Sequence, residues 1–475
     1  MNPDPSIRQL AEASAAEQQG RIADAAAILA ALGKSLDDRP AGLHLAGVVA
    51  ARQGNYEGAA TLMQRAAKLG ERQGLDTPTL ALIHRNRIEV HRRLLQPRVA
   101  ITAGQAALAL APNDPTTLNN LALAHLDALE FDAALDCYDR AIALAPNDPA
   151  PRFGRGELKL SLGDYKAGWE GYAWRFRLPG VQAPIPDAVL SEHRARRWSG
   201  RKTTGTLLLV ADQGFGDVVQ FARYIPWAAA RCARLVVAAS PEMLPVLAQF
   251  PQLAGLAASW DRIGDFAAWA VLSDLPALAG TRADTISSDA VPYLTASHED
   301  GLHWRARLGE LAAPGLRRIG LVWAGRDTHP HDFARSATLS SLAPLGTASA
   351  VTWIALQVGP TAAQIANQTW GAPLVNLGPE VASYADTMAI IAALDLVVTV
   401  DTSVAHIAGA MGRPCWLMLP RRADWRWGLR GTATPWYPAL RLFRQRRLGD
   451  WTQVAREVVQ ALADAGAWAV VTKSE

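Results

Sequence analysis

Cysteine is scarce in this chain: Cys137, Cys232 and Cys415 are the 3 among 475 residues, far apart and each among apolar neighbours. That excludes a disulfide framework, and no Cys or His spacing suits a structural zinc site, so buried thiols in a reducing compartment are expected. Charge is sparse as well. Charged residues make up 19%, and a net charge of +3 is too small on this length to imply a nucleic-acid partner. The opening stretch MNPDPSIRQLAEASAAEQQG lacks the basic-then-apolar pattern of a secretory signal, and no uninterrupted apolar run reaches membrane-spanning length. The expectation is a cytoplasmic protein with no membrane span. Tryptophan, by contrast, is plentiful, with 16 residues concentrated beyond residue 168. The two parts of the chain therefore differ in kind, and the length suits two or three domains.

The string APNDP occurs at 111–115 and again at 145–149, an offset of 34. At the same offset Phe131 matches Tyr165, Ala133 matches Ala167 and Tyr138 matches Tyr172. Going backward, Pro97 lies 34 before Phe131, Tyr56 lies 41 before Pro97, and Ile22 lies 34 before Tyr56. The longer step implies about seven extra residues near 70–78. A 34-residue period with small residues at crossing points and a Pro-containing turn resembles the tetratricopeptide repeat over residues 6–178, with about five helix pairs. Pairs that cannot bury their apolar stripes alone stack into a superhelix. The resemblance places Asn86, Arg87, Asn119, Asn120, Arg152 and Arg155 on first helices, which line the concave groove of such arrays. There the amides of Asn119 and Asn120 would hold an extended peptide backbone; the alternative is a set of solvated positions on a scaffold. The array ends in WEGYAWRFRL (169–178), where Trp169, Trp174 and Phe176 are expected to pack against the next domain. The repeat domain is set at 1–178 and a linker at 179–203.

Beyond it, TLLLV (206–210) reads as a buried strand, and ADQGFGDVVQFARYIPWAAA (211–230) turns into a helix. Gly214 and Gly216 permit a tight turn, and Asp217 sits at the helix start. Further strands are read at RLVVAA (234–239), RRIGLVWAG (317–325), VTWIALQ (351–357), APLVNLG (372–378) and LDLVVTV (394–400). Helices are read at ADTMAIIAAL (385–394) and WTQVAREVVQALADAG (451–466). Strands alternating with helices predict parallel sheets with ligands at their carboxyl ends. Two such sets, 204–300 and 301–475, imply two lobes with a cleft between them. In DTSVAHIAGAMGRPCWLMLP (401–420), Asp401, Thr402 and Ser403 open a helix directly after a strand. Free N–H groups and the helix dipole favour a phosphate there, read as the diphosphate of an activated sugar.

QGFGDVVQFARYIP (213–226) and the 401–420 string sit in the two lobes in order. Together they resemble the bacterial heptosyltransferase-like glycosyltransferases over about 204–465. That family has two facing Rossmann-like lobes and needs no metal, so the resemblance implies no cofactor and a nucleotide sugar as co-substrate. A tetratricopeptide array fused to such a region is similar to bacterial protein glycosyltransferases, including those that modify flagellin. The fold class implied is α + α/β: an N-terminal tetratricopeptide α-solenoid, then a two-lobed Rossmann-like glycosyltransferase region of the GT-B type.

The resemblance also implies roles. The Asp of the family's Gly-Asp turn is its proposed general base, here Asp217; a carboxylate facing the cleft can take the proton of an attacking acceptor hydroxyl. The alternative is a plain helix cap. Gln213, Gln220, Arg223 and Tyr224 are nearby candidates for sugar or acceptor contacts. The family's Asp-Thr-x-x-x-His pattern binds the donor. It implies that Asp401 contacts sugar hydroxyls and that Thr402 and Ser403 meet the diphosphate. His406 would donate to a phosphate oxygen, the alternative being a helix-packing histidine. WAGRDTHPHDFARS (323–336) lies where the family carries a cation, and Arg335 is the choice, since a guanidinium suits two phosphate oxygens. Arg326, His329 and His331 are its alternatives. The two histidines lack a third ligand at a workable spacing, so no metal is expected. Gln357 is expected to face the nucleotide; Asp386 and Thr387 either do the same or cap a helix. In the loop 421–445, Trp425, Arg426, Trp427, Trp436 and Tyr437 either stack on a base or sugar or pack the loop onto its own lobe.

The resulting expectation is a metal-independent glycosyltransferase. It would move a sugar from a nucleotide-sugar donor to a protein acceptor, flagellin among the candidates, recruited by the repeat groove. Its rivals are an enzyme acting on a small or lipid-linked glycan and a non-enzymatic scaffold with a degenerate transferase domain.

Overall fold

Alanine-rich amphipathic segments, interrupted at near-regular steps, make the first part of the chain helical. The computed structural model describes residues 5–193, 196–286, 290–329 and 331–464. Helices α1 (Pro5–Gln18), α2 (Ile22–Leu32), α3 (Pro40–Arg52), α4 (Tyr56–Gln73), α5 (Thr77–Arg93), α6 (Pro97–Leu110), α7 (Pro115–Asp127), α8 (Phe131–Leu144), α9 (Pro149–Ser161) and α10 (Tyr165–Tyr172) succeed one another with short turns. Proline opens α3, α6 and α7, where its missing N–H is harmless. Within pairs the turn bends through one left-handed residue: Gly20, Gly54, Leu95, Leu129 and Gly163 all have positive φ. These positions repeat the spacing of the sequence offsets, 34 with a single step of 41. The extra residues of that step do not form a loop. They lengthen α4 to 18 and α5 to 17 residues, against 14 and 13 in α6 and α7. Seven residues are about two helical turns, so each helix gains roughly one turn and keeps its apolar face inward.

The chain divides into two units, 1–158 and 159–475. In the first, small residues such as Ala13, Ala16, Ala25, Ala59, Ala66, Ala100 and Ala122 are fully buried, which lets helix backbones approach closely. A groove of about 900 Å³ opens on it, with Glu17, His44, Arg52, Arg85, Asn86 and Asn120 among its walls.

In the second unit, five strands form one parallel sheet: β1 (Arg196–Arg197), β2 (Thr206–Val210), β3 (Arg234–Ala238), β4 (Gly255–Ala257) and β5 (Ala268–Val271), in the order β1-β5-β2-β3-β4. Six more form a second parallel sheet: β6 (Arg317–Val322), β7 (Val351–Ala355), β8 (Leu374–Asn376), β9 (Leu396–Val400), β10 (Cys415–Leu419) and β11 (Leu440–Arg444), in the order β11-β10-β9-β6-β7-β8. Strands such as β2, β9 and β10 are buried at nearly every position, because both faces are covered, as parallel sheets require. Besides α10, the helices of this unit are α11 (Asp187–His193), α12 (Phe215–Ala222), α13 (Ile225–Ala229), α14 (Leu244–Leu247), α15 (Leu275–Leu278), α16 (His298–Leu311), α17 (Asp332–Arg335), α18 (Tyr384–Ala393), α19 (Ser403–Ala410) and α20 (Trp451–Asp464). The last two residues of the expected closing helix, 465–466, lie outside the described residues.

The segment read as a linker carries α11 and β1, and β1 pairs with β5. A two-residue Arg-Arg strand has no hydrophobic pattern to announce it. Trp169 is buried and donates Nε1–H to Thr281 O at 3.0 Å, and Phe176 packs against the core around Ile185, Leu208 and Val210. Cys137 and Cys415 are buried, Cys232 is half-buried, and all three are free thiols. Among the described residues no helix is long and apolar enough to cross a membrane.

Candidate active site

In the second sheet the strand order reverses between β6 and β9. β7 and β8 continue on one side, β10 and β11 on the other. Ligands of open α/β sheets bind outside the carboxyl ends of the strands at such a switch point. The segments leaving those ends are 323–325 and 401–403, and Arg335 of α17 lies across both. Its Nη1 donates to Asp401 O at 3.2 Å and its Nε to Asp332 Oδ1 at 3.3 Å. A Cβ on Gly325 would stand 2.5 Å from Arg335 Nη2, so the glycine makes the room the guanidinium occupies. Gly325 N in turn donates to Ser336 Oγ at 2.9 Å, and Ser336 Oγ to Asp332 Oδ1 at 2.7 Å.

Helix α19 starts beside this arginine. Thr402 is its N-cap in an extended conformation but makes no side-chain cap bond; its hydroxyl meets that of Thr399 at 3.1 Å. Ser403 Oγ lies 3.2 Å from Tyr384 OH. The positive end of a helix without a side-chain cap, next to a guanidinium, is an anion site by simple electrostatics. Burial, with Asp424 nearby, raises the Asp401 carboxyl above its ordinary range against the pull of Arg335 and Arg426.

Other expected donor residues have different work. Gln357 is buried. Its Oε1 accepts from Trp323 N at 3.1 Å and Ala324 N at 3.0 Å, and its Nε2 donates to Ala324 O at 3.2 Å and Val358 O at 3.1 Å. Both amide hydrogens and both oxygen lone pairs are therefore in use, clipping the end of β7 to the end of β6. Asp386 accepts from Ser383 Oγ at 2.9 Å and Trp304 Nε1 at 3.3 Å, and Thr387 Oγ1 donates to Ser383 O at 3.1 Å, so both serve the start of α18. His406, on α19, is 5% exposed and faces Gly216 of α12, its Nδ1 3.0 Å from Tyr437 OH. Burial, with Arg426 adding to it, lowers its pKa to about 3 and leaves a neutral ring. Its place is that of the helix-packing alternative.

The first lobe presents Asp217 to this region. Gly214 is the N-cap of α12, and Asp217 Oδ2 accepts from Gly214 N at 3.0 Å. The carboxylate thus caps its helix, yet its other oxygen pairs with Arg426 Nη2 from the second lobe. Arg426 also donates Nε–H to Gln220 Oε1 and Nη1–H to Asp424 Oδ1, the latter at 2.8 Å. Sequence reasoning left Arg426 as a stacking candidate and passed over Asp424. The signal was there: Asp424 is the one acid in a loop that holds six arginines, Arg426 two residues away among them. Phe215, two residues before Asp217, reaches the second lobe too; Arg326 lies 4.3 Å over its ring, and Tyr384 meets it edge-on at 5.3 Å.

The remaining candidates are anchored. Gln213 is exposed with φ 65°, and its Oε1 accepts from Tyr172 OH at 2.9 Å. Arg223 donates to Trp436 O at 2.7 Å, with the rings of Tyr293, Trp436 and Tyr437 around its guanidinium. Tyr224 OH lies 2.8 Å from Thr281 Oγ1. Trp425 and Trp427 are buried; Trp425 packs edge-on with Trp169, Tyr172 and Trp436, and Trp427 packs with His406. Trp427 and Tyr437 pack within their own lobe, whereas Trp425 packs against α10.

The first sheet has its own switch point, between β2 and β5, and the chain fills it. Asp212 after β2 accepts from Ser273 N at 3.1 Å and from Ser273 Oγ. Arg175, from the turn after α10, donates to Ser273 Oγ and to Asp274 Oδ1, both at 2.6 Å. Burial pushes the Asp212 carboxyl up to about 6, with Arg175 opposing.

In the first unit Asn86 Nδ2 lies 3.0 Å from His44 Nε2, Asn119 Nδ2 donates to Asn120 Oδ1 at 3.4 Å, and Arg152 Nε donates to Pro146 O at 2.6 Å. Asn86 and Asn120 line the groove.

Known proteins share these parts. Residues 351–416 match the family model for glycosyltransferase family 9 (heptosyltransferase), and residues 10–73 and 115–148 match tetratricopeptide repeat models. The glycosyltransferase match spans the start of α19, not Asp217, Arg335 or Arg426. Protein FlbA of Caulobacter vibrioides is 28% identical over 392 residues, covering 75% of this chain and 63% of that protein. The chain therefore spans less than two thirds of the length of that curated relative. Among solved structures, E. coli ADP-heptose lps heptosyltransferase II is 15% identical, with 55% of this chain and 100% of that one covered at a TM-score of 0.38. YrrB, a TPR protein with an unusual peptide-binding site, is 18% identical, with 40% and 91% covered at a TM-score of 0.30. The chain combines tetratricopeptide repeats with a heptosyltransferase-type glycosyltransferase domain.

Proposed function

We propose that this chain transfers a sugar from a nucleotide-sugar donor to a hydroxyl of a protein acceptor engaged by the repeats. The observation that carries the reading is the switch point at the carboxyl ends of β6 and β9. There Arg335 lies against Gly325 and the start of α19, which receives no side-chain cap from Thr402. A diphosphate suits that pairing of a fixed guanidinium with a helix N-terminus. Arg335 would stabilise the charge that grows on the leaving nucleotide. Asp217 retains 19% side-chain exposure, and burial raises its carboxyl above the ordinary range against the pull of Arg426. A carboxylate so raised is a better general base toward an acceptor hydroxyl. The residues named use no metal in these roles, and the reading needs none.

A thermal-shift panel of UDP, GDP, ADP, CMP and TDP tests the donor part, since a ligand of the folded state raises the melting temperature. Stabilisation by one nucleotide, unchanged by chelator, supports the reading. The acceptor part is tested by following sugar incorporation into protein with the full chain and with residues 159–475 alone, provided that piece proves folded. Incorporation unaffected by removal of the repeats counts against recruitment through them.

A further inference from the structure

Arg426 and two of the groups it binds come from different lobes. The arginine belongs to the turn after β10, while Asp217 and Gln220 stand one helical turn apart on α12. Its guanidinium bonds Asp217 Oδ1, Gln220 Oε1 and Asp424 Oδ1 at once. A guanidinium carries only donors, so the contact fixes which end of the Gln220 carboxamide faces it. The Nε2 end is turned away. Gln220 is fully buried, and this nitrogen has no hydrogen-bond partner. The Oε1 end is therefore committed to the arginine, and the Arg426–Gln220 bond ties the turn after β10 to α12 one helical turn beyond Asp217.

Resting on the reading of Asp217 as general base, we infer that Arg426 is a positioning residue for transfer: it fixes the Asp217 carboxylate from the other lobe and, through Gln220 Oε1, holds the turn of α12 that carries it. Because Arg426 comes from the lobe with the proposed donor site, the base is complete only when the two lobes are together. The titratable groups around the pair are Asp424 on the same turn, Tyr172 on α10 and Asp212 after β2; Asp401, His406, His329 and Tyr437 also interact with the guanidinium. Burial raises Asp217, Arg426 pulls it down, and Asp424 raises it again. Loss of the guanidinium therefore raises the carboxyl further.

The test measures nucleotide release by the full chain from the nucleotide sugar corresponding to the most stabilising nucleotide, with water as the acceptor hydroxyl, across roughly pH 5 to 9, for wild type, R426M, R426K and D217N. R426M should leave KM within about threefold, lower kcat about 100-fold, and move the acid limb of kcat up by about one pH unit. R426K keeps the charge but lacks the planar fork, so its acid limb should stay in place while kcat falls about tenfold. If R426M does not fold, R426K decides, and a wild-type kcat in it overturns the proposal. R426M with an unmoved acid limb, or with its whole loss in KM, overturns the proposal alone, provided D217N is slow. D217N at wild-type kcat, or no release by wild type from any nucleotide sugar, overturns the base reading and the proposal together.

Discussion

Gly216 and His406 touch across the two lobes: a Cβ on Gly216 would stand 2.7 Å from His406 Cδ2 and 3.2 Å from its Nε2. The missing side chain lets α12 lie directly on α19 and sets the position of Asp217, the next residue. Gly216→Ala is therefore expected to destabilise the chain by about 1–3 kcal/mol. It should slow transfer through a displaced Asp217 while nucleotide affinity, which depends on the second lobe, stays nearly constant. Calorimetric melting and nucleotide titration read the two effects separately; an alanine variant as stable as wild type would mean the helices do not meet there.

His406 makes stability sensitive to acid. Its folded pKa of about 3 lies below the ordinary 6.5. Between those values the unfolded chain takes up a proton that the folded chain refuses, so this contribution is present above pH 6.5 and lost as pH falls. Asp212, pushed up to about 6 from 3.8, acts in the opposite sense, since its contribution is lost as pH rises through that window. His406→Gln should flatten the fall in melting temperature between about pH 6.5 and pH 4. An unchanged slope would place the acid sensitivity elsewhere.

The left-handed turn residues of the repeats give a third expectation. Gly54 has φ 82°, whereas Leu129 takes φ 62° at the equivalent place. Gly54→Val should cost about 1–2 kcal/mol in denaturant unfolding, because a Cβ is strained there. Leu129→Gly should be close to neutral, relief of that strain offsetting lost packing and added chain entropy. A valine at 54 without cost would contradict the turn geometry.

Arg175 is buried between Asp212 and Asp274, and Arg197 also reaches Asp274. Arg175→Met leaves carboxylates buried without their cation, a loss of about 3–5 kcal/mol. Adding Asp212→Asn should recover part of it, since one of the stranded charges is then gone. No recovery in the double variant would show that the cost came from packing alone.

Much of this was legible in the sequence, for identifiable reasons. Helix pairs announce themselves by an exact offset, and even the odd step of 41 was visible before its cause, one added turn in each of α4 and α5. The strand–turn–helix at 396–410 was legible because its cap residues and apolar runs are local. What depends on distant partners was not. Gln357 sits at a strand end, as a ligand contact would, but only the fold shows its amide clipped to Trp323 and Ala324. Arg175 lies in an aromatic, basic stretch that reads as a generic joint, while its carboxylate partners are far off in sequence. Arg426 was visible as a residue but not as a partner of Asp217, because that pairing spans 209 residues.

Titration of the full chain and of Arg335→Ala with the nucleoside diphosphate that stabilises the protein most tests the proposed donor site directly. Arg335 donates to Asp401 O beside the start of α19, so its loss should weaken the nucleotide about 10- to 100-fold with the melting temperature of the free protein little changed. Equal affinity in the two proteins, or no nucleotide bound by either, would contradict a diphosphate held at the ends of β6 and β9.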